Sequence, residues 1–143
     1  SLQPVEGRLR AADASGGATV IDDCYNANPG SVRAAVDVLA ACPGKRTLLL
    51  GAMRELGDDS AALHRETGTY ARAAGIDGLW GVGPELQACV EAFGEGGRFF
   101  PDREAAIAAL PGQFGPDDTV LVKGSRSAGM ERVMQALLSA GEG

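Results

Sequence analysis

The segment ATVIDDCYNANPGSVRAAVDVL, residues 18–39, joins an apolar run to a polar loop and a helix-like run. The apolar residues at 18–22 show no polar alternation, which is typical of a strand covered on both faces. Residues 31–42 predict a helix, and Asn28 followed by Pro29 suits the start of one. A strand that leads through a loop into a helix is the repeating unit of a parallel α/β sheet.

The same alternation continues through the rest of the chain. We predict further strands at 46–51, 77–83, 97–101 and 118–124, and further helices at 60–75, 84–94, 102–112 and 128–141. Residues 7–22, which include the first apolar run, form a predicted hairpin with SGG at its turn. The sequence therefore predicts an α/β, Rossmann-like fold: a mostly parallel sheet with flanking helices and an antiparallel element at its N-terminal edge.

Composition is that of an ordinary globular protein. The chain has 143 residues, of which 45% are hydrophobic and 22% charged, and its formal net charge is −6. That charge disfavours nucleic-acid binding, although a local basic loop can still hold a small anion. No apolar run is long enough to span a bilayer, and the first ten residues contain no apolar region typical of a secretory signal.

Few residues of this chain suit a metal or disulfide framework. The three cysteines, Cys24, Cys42 and Cys89, form no CxxC motif. This argues against a disulfide framework or a zinc site and favours a reducing cytoplasm. The single histidine, His64, is more consistent with a structural or exposed position than with catalysis.

Three polar loops follow predicted strands: DDCYNANPGS at 22–31, GAMRELGDDS at 51–60 and KGSRSAG at 123–129. In open α/β sheets, ligands bind beyond the carboxyl ends of the strands. We therefore expect the three loops to face one crevice. A fourth loop, GVGPE at 81–85, is only a fragment of a dinucleotide-binding motif, and the GxxxxGK[ST] phosphate loop is absent from this sequence.

Each polar loop has a structural and a functional interpretation. Asn28 can simply cap a helix, whereas the aspartates before it could bind ribose hydroxyls or a metal, or only be solvated. Arg54 could clamp a carboxylate or phosphate, or pair with Glu55 at the surface. Lys123 and Arg126, with two serines at a helix start, form a candidate anion site; the alternative is an ordinary capped helix.

These motifs resemble a known family. The segments IDDCYNANPGSVRAAVDVL (21–39), GAMRELGDDSAALHRETG (51–68) and VLVKGSRSAGMERV (120–133) are similar, in order and spacing, to the C-terminal domain of the Mur ligases. The YNANP and KGSRSAGME motifs indicate the branch that adds D-Ala-D-Ala. The resemblance implies that residues 1–143 are a single Mur ligase C-terminal domain, without the N-terminal UDP-substrate domain and the central ATPase domain.

The resemblance implies an ATP-dependent ligase of bacterial peptidoglycan synthesis, cytoplasmic and monomeric. In the family, ATP phosphorylates a peptide carboxylate, and the incoming amine attacks the acyl phosphate. The implied substrates are D-Ala-D-Ala and UDP-N-acetylmuramoyl-tripeptide, with ATP and Mg²⁺ held mainly by the central domain. The C-terminal domain would position the dipeptide, close over ATP against its own central and N-terminal domains, and be inactive alone.

The resemblance also assigns residues. It implies nucleotide contacts from Arg8, Asp23, Tyr25, Asn26 and Asn28, with Asp23 at the ribose and Arg8 at a hinge. It implies substrate contacts from Arg54, Glu55, Lys123, Ser125, Arg126 and Ser127, with Arg126 or Lys123 holding the dipeptide carboxylate. No catalytic residue or metal ligand is assigned. Ala52 departs from the family pattern, in which an acidic residue is common, and this weakens any catalytic role for the start of that loop.

Two other interpretations stay open. A phosphorylation-switch receiver domain would use Asp22, Asp23 and Lys123, but it needs an acceptor aspartate at the end of a central strand. Neither RTLLLGAM (46–53) nor GLWGVG (78–83) supplies one. A non-catalytic Rossmann-like module that binds a nucleotide or a protein is the second interpretation, and tight ATP binding without any other domain would favour it.

Overall fold

The structure is a computed structural model that describes residues 10–13 and 16–139. Within these residues the strands are β1 (Arg10–Asp13), β2 (Thr19–Asp23), β3 (Lys45–Gly51), β4 (Gly78–Val82), β5 (Gly97–Phe100) and β6 (Asp118–Lys123). The helices are α1 (Pro29–Ala40), α2 (Ser60–Ala73), α3 (Gln87–Phe93), α4 (Arg103–Ala109) and α5 (Met130–Ser139). Short 3₁₀ turns at Gly57–Asp59, Pro84–Leu86 and Arg126–Ala128 precede α2, α3 and α5.

The strands form a sheet in the order β1-β2-β6-β3-β4-β5. Strands β2 to β6 pair in parallel, and β1 pairs with β2 in the antiparallel direction at one edge. The predicted mostly parallel, Rossmann-like sheet and its antiparallel N-terminal element are therefore confirmed. Strand β6 is the last in sequence, yet it lies between β2 and β3.

Helices cover both faces of the sheet. Side chains along a strand alternate between two apolar clusters: Leu48 and Leu50 belong to the cluster that includes α1, α2 and α3, whereas Leu49 belongs to the cluster that includes α4 and α5. All three leucines are fully buried. The unbroken apolar runs of the sequence follow from this arrangement, because both faces of each central strand need apolar side chains.

Strand β6 marks the point where the connections diverge. The helices that follow β2 and β3 pack on one face of the sheet, and the helix that follows β6 packs on the other. Such a divergence opens a crevice beyond the carboxyl ends of the strands. The register places both Asp23 of β2 and Leu50 of β3 beside Lys123 of β6, so the three polar loops leave the sheet at one edge.

Several helix boundaries differ from the sequence prediction by two or three residues. Helix α1 spans Pro29–Ala40 rather than 31–42, and α3 begins at Gln87 because Pro84–Leu86 form a 3₁₀ turn. Helix α5 begins at Met130 rather than at residue 128, because Gly129 adopts a left-handed φ of 65° after the 3₁₀ turn. Helix α4 ends at Ala109, before Pro111. In the described residues, 10–13 and 16–139, none of the helices is long and apolar enough to cross a membrane.

Candidate functional site at the carboxyl edge of the sheet

Lys123 connects the first and third loops. Its Nζ donates hydrogen bonds to Oδ2 of Asp23 at 2.9 Å and to the carbonyl oxygen of Asn26 at 2.8 Å. Strand pairing places Asp23 opposite Lys123, so this contact follows from the sheet register. The Lys123 ammonium group therefore ties the end of β2 and the loop after it to the end of β6.

The Asp23–Lys123 ion pair is largely withdrawn from solvent. Side-chain exposure is 3% for Lys123 and 15% for Asp23. Burial raises the pKa of the Asp23 carboxyl above its ordinary value, and the nearby ammonium opposes this increase. Among residues 10–13 and 16–139, Lys123 donates to Oδ2 of Asp23 and no group donates to Oδ1, so the ion pair leaves that oxygen to other donors.

The rest of the first loop forms the start of α1. Oδ1 of Asn28 accepts a hydrogen bond from the Ser31 backbone N–H at 2.9 Å, and the Asn28 backbone N–H donates to Oγ of Ser31 at 3.0 Å. This reciprocal pair is a capping box, and Pro29 opens the helix as predicted. Oδ1 of Asn26 accepts from the Ala27 backbone N–H. The side-chain oxygens of Asn26 and Asn28 thus hold the local backbone.

Arg126 and Tyr25 bring the third loop over the first. The Arg126 guanidinium carbon lies 5.2 Å from the centroid of the Tyr25 ring, which is within the range of a cation–π contact. Arg126 is exposed and Tyr25 is 40% exposed. Oγ of buried Ser125 lies 3.3 Å from Oγ of exposed Ser127. The exposed cation and hydroxyl of this loop therefore face solvent beside the first loop.

Two glycines allow the second and third loops to meet. The Ser125 backbone N–H donates to the Ala52 carbonyl oxygen at 3.0 Å. A Cβ atom on Gly51 would lie 2.7 Å from Cγ of Met130, and one on Gly124 would lie at the same distance from that atom. A side chain at either position would require the Met130 side chain, at the start of α5, to shift.

A pocket of about 330 Å³ lies beside the second and third loops, and Arg54, Ser127, Arg103 and Glu85 are among the residues that line it. Arg103 was missed by sequence reasoning. It is the first residue of α4, and its Nη1 donates to the Gly129 carbonyl oxygen at 3.3 Å. Its position shortly after β5 was the signal that could have identified it, because β5 ends at the same edge of the sheet.

His64 is a structural residue that holds the second loop. It is fully buried, its Nε2 accepts a hydrogen bond from the Met53 backbone N–H at 3.1 Å, and its Nδ1 lies 2.8 Å from the Ser60 carbonyl oxygen. These two contacts require the neutral tautomer with the proton on Nδ1. Within this loop Glu55 is exposed and has a left-handed φ of 61°.

The predicted site residues are thus brought together unequally. Asp23, Asn26 and Lys123 are in direct contact, the Arg126 guanidinium lies over the Tyr25 ring, and Arg54 and Ser127 line one pocket. The ion pairs of the described residues do not include the surface pair of Arg54 with Glu55 that the sequence allowed. Arg8 lies outside the described residues.

Comparison with known proteins defines the class. Residues 7–126 match the family model described as Mur ligase, glutamate ligase domain. The chain therefore belongs to this family, as its motifs predicted. The family motifs lie in the three loops that follow β2, β3 and β6, at one edge of the sheet.

Individual relatives narrow the likeness to one branch. The chain is 45% identical over 139 residues to the UDP-N-acetylmuramoyl-tripeptide--D-alanyl-D-alanine ligase of Escherichia coli (strain K12), an alignment that covers 96% of the chain and 30% of that protein. It is 34% identical over 157 residues to the ligase of the same name from Mycobacterium tuberculosis (strain CDC 1551 / Oshkosh), covering 92% and 31%. The chain thus spans about 30% of the length of these curated relatives.

Solved structures show a likeness to the same branch. The MurF ligase of Thermotoga maritima in complex with ADP superposes with a TM-score of 0.82 at 30% identity, over 99% of this chain and 33% of that one. A crystal structure of MurF from Acinetobacter baumannii gives 0.84 at 32% identity, over 96% and 31%. The predicted likeness to the D-Ala-D-Ala-adding branch is therefore confirmed.

Proposed function

We propose that residues 1–143 act as the C-terminal domain of a bacterial cytoplasmic ligase that uses ATP to join D-Ala-D-Ala to UDP-N-acetylmuramoyl-tripeptide in peptidoglycan synthesis. The proposal rests on one observation. This chain, which is 45% identical to such a ligase, has the Asp23 carboxylate and the exposed Arg54 and Arg126 at one edge of its sheet. This domain would contact ATP and position the dipeptide. The other domains of the same monomeric enzyme would complete the site.

The nucleotide half of the site is the first loop. Oδ1 of Asp23 is suited to accept a hydrogen bond from a ribose hydroxyl, and Tyr25 and Asn26 belong to the same loop. The Thermotoga relative was solved in complex with ADP, which supports a nucleotide as a ligand of the whole enzyme. Asn28 acts through the helix start that it caps, and Arg8 would approach from the hinge.

The acceptor half is formed by the second and third loops. The Arg126 guanidinium can hold the dipeptide carboxylate in a bidentate contact, with Ser127 and Arg54 at the adjoining pocket and Ser125 and Glu55 supporting the loops. Lys123 is less suited to that carboxylate, because two of its three N–H groups already donate to Asp23 and Asn26.

The contribution of this chain to the reaction is orientation. When bound, ATP supplies the phosphoryl group that activates the tripeptide carboxylate. The residues of this domain hold the dipeptide with its amine directed toward that carboxylate and exclude water when the domain closes. In residues 10–13 and 16–139 no group of three or more His, Cys, Asp or Glu side chains could hold a metal ion. Mg²⁺, which would accompany ATP, would be held mainly by the central domain.

A chimera tests this function. The chain would replace the corresponding segment of the Escherichia coli relative, and ADP release would be followed with D-Ala-D-Ala and, as a control, with L-Ala-L-Ala. We expect activity with the D-dipeptide only. Arg126→Gln should raise the KM for D-Ala-D-Ala about 10-fold or more, the loss of one charge-assisted contact, whereas the exposed Arg132→Gln should not. A folded chimera without activity toward D-Ala-D-Ala would refute the proposal.

A further inference from the structure

Lys123 is placed between the two halves of the site, and its surroundings restrict its role. Its side chain is 3% exposed, and it is the last residue of a strand that lies between two others. Both of its acceptors, the Asp23 carboxylate and the Asn26 carbonyl, belong to the first loop. An ammonium group in this position contacts protein oxygens rather than solvent.

A substrate carboxylate has poor access to this ammonium group. Only the third N–H of Lys123 remains, and a carboxylate that reached it would enter beside the charge of Asp23. Arg126, three residues further along the chain, is exposed at the surface of the same loop. Of the two cations of KGSRSAG, Lys123 therefore contacts the first loop, whereas Arg126 is exposed to a ligand.

We propose that Lys123 is a positioning residue of the nucleotide half, and that it does not bind the acceptor dipeptide. This inference rests on the proposed ligase function. The ammonium group holds Oδ2 of Asp23 and leaves Oδ1 for the ribose, and it fixes the Asn26 carbonyl so that the first loop turns into α1. Lys123 thus acts on the nucleotide through Asp23 and the first loop.

Steady-state kinetics of the chimera separate the two roles. Lys123→Gln should raise the KM for ATP about tenfold and leave the KM for D-Ala-D-Ala within about twofold. Arg126→Gln is the matched variant in the same loop and should show the opposite pattern. A rise in the KM for the dipeptide in Lys123→Gln, alone or together with that for ATP, would overturn the assignment. A merely structural role would lower the amount of active enzyme without separating the two KM values.

Two further variants keep the test decisive. If Lys123→Gln does not fold, Lys123→Arg replaces it. The larger, planar guanidinium cannot repeat both hydrogen bonds of the buried ammonium, so the KM for ATP should rise while that for the dipeptide stays unchanged. Asp23→Asn should raise the KM for ATP by a similar factor, and adding Lys123→Gln to it should have little further effect. Full additivity of the two substitutions would contradict the proposal.

Failure of the proposed function is recognised separately. If the unaltered chimera folds but forms no product with D-Ala-D-Ala, the ligase function fails. Binding of a fluorescent ATP analogue to the same protein then decides the role of Lys123. About tenfold weaker binding in Lys123→Gln supports it, and unchanged binding refutes it.

Discussion

Lys123 and Arg126 are two cations in one seven-residue loop, and the structure gives them different environments. Lys123 ends β6 inside the sheet and is ion-paired with Asp23, whereas Arg126 begins a 3₁₀ turn at the surface and lies over the Tyr25 ring. The residue types alone suggest one shared anion site. The strand register, rather than the motif, therefore decides which cation is available to a ligand.

The same contrast extends to the two halves of the site. On the proposed nucleotide side, polar groups are held by partners within the protein: Asp23 by Lys123, and Asn28 by Ser31. On the proposed acceptor side, Arg54 and Ser127 are exposed and line one pocket. The first half is therefore preorganised by contacts within this chain. For the second half, the proposed function requires a ligand and domain closure to complete the arrangement.

Replacing each cation with methionine should give the largest difference. Lys123→Met leaves Asp23 as a partly buried, uncompensated charge and the Asn26 carbonyl without its donor. It should lower the free energy of unfolding of this chain by about 3 kcal/mol. Arg126→Met should change it by no more than about 0.5 kcal/mol. Urea unfolding followed by circular dichroism measures both. Similar losses in the two variants would contradict the expected difference in stabilisation between the buried and the exposed cation.

Local features of this site could be predicted from the sequence. The helix start at Asn28 and Pro29 depends on contacts three residues apart, and the apolar runs show strands covered on both faces. Asp102 caps α4 as its position suggests, accepting from the Ala105 N–H. Such features need only the local chain, so residue type and spacing are sufficient.

Long-range features could not be predicted in this way. Asp23 and Lys123 are 100 residues apart in the chain, and they meet only because β6 inserts between β2 and β3. Arg103 reaches Gly129 because α4 and α5 pack on one face of the sheet. Sequence patterns indicate each element, but the strand order that selects these neighbours results from packing of the whole sheet.

Asn28 tests whether the first loop contains ligand contacts or only structural ones. Asn28→Ala removes the capping oxygen and should lower the free energy of unfolding by about 1 kcal/mol, whereas Asn28→Ser retains a capping hydroxyl and should restore most of it. In the chimera, the KM for ATP should change less than about threefold in Asn28→Ser. A large rise in that KM despite restored stability would show that Asn28 contacts the nucleotide directly.

The smallest expected effect concerns pH, and it compares Asp23 with Asp77 at the opposite end of the sheet. Burial raises the pKa of Asp23 despite Lys123. The pKa of Asp77 is lowered, first by the Arg46 backbone N–H at 2.8 Å and further by the Arg46 side chain. For Asp23 the stabilising contribution is present below the unfolded-state pKa and is lost as pH rises through the higher folded-state pKa. For Asp77 it is present above the unfolded-state pKa and is lost as pH falls through the lower folded-state pKa.

Carboxyl ¹³C NMR across an acidic pH series measures both groups directly. We expect the Asp23 resonance to titrate at a higher pH than that of Asp77. In Lys123→Met the midpoint for Asp23 should rise further, because the ammonium that opposes the effect of burial is removed. The midpoint for Asp77 should stay unchanged in that variant and serves as the internal control. An unchanged Asp23 midpoint would mean that Lys123 does not lower the pKa of this carboxyl group.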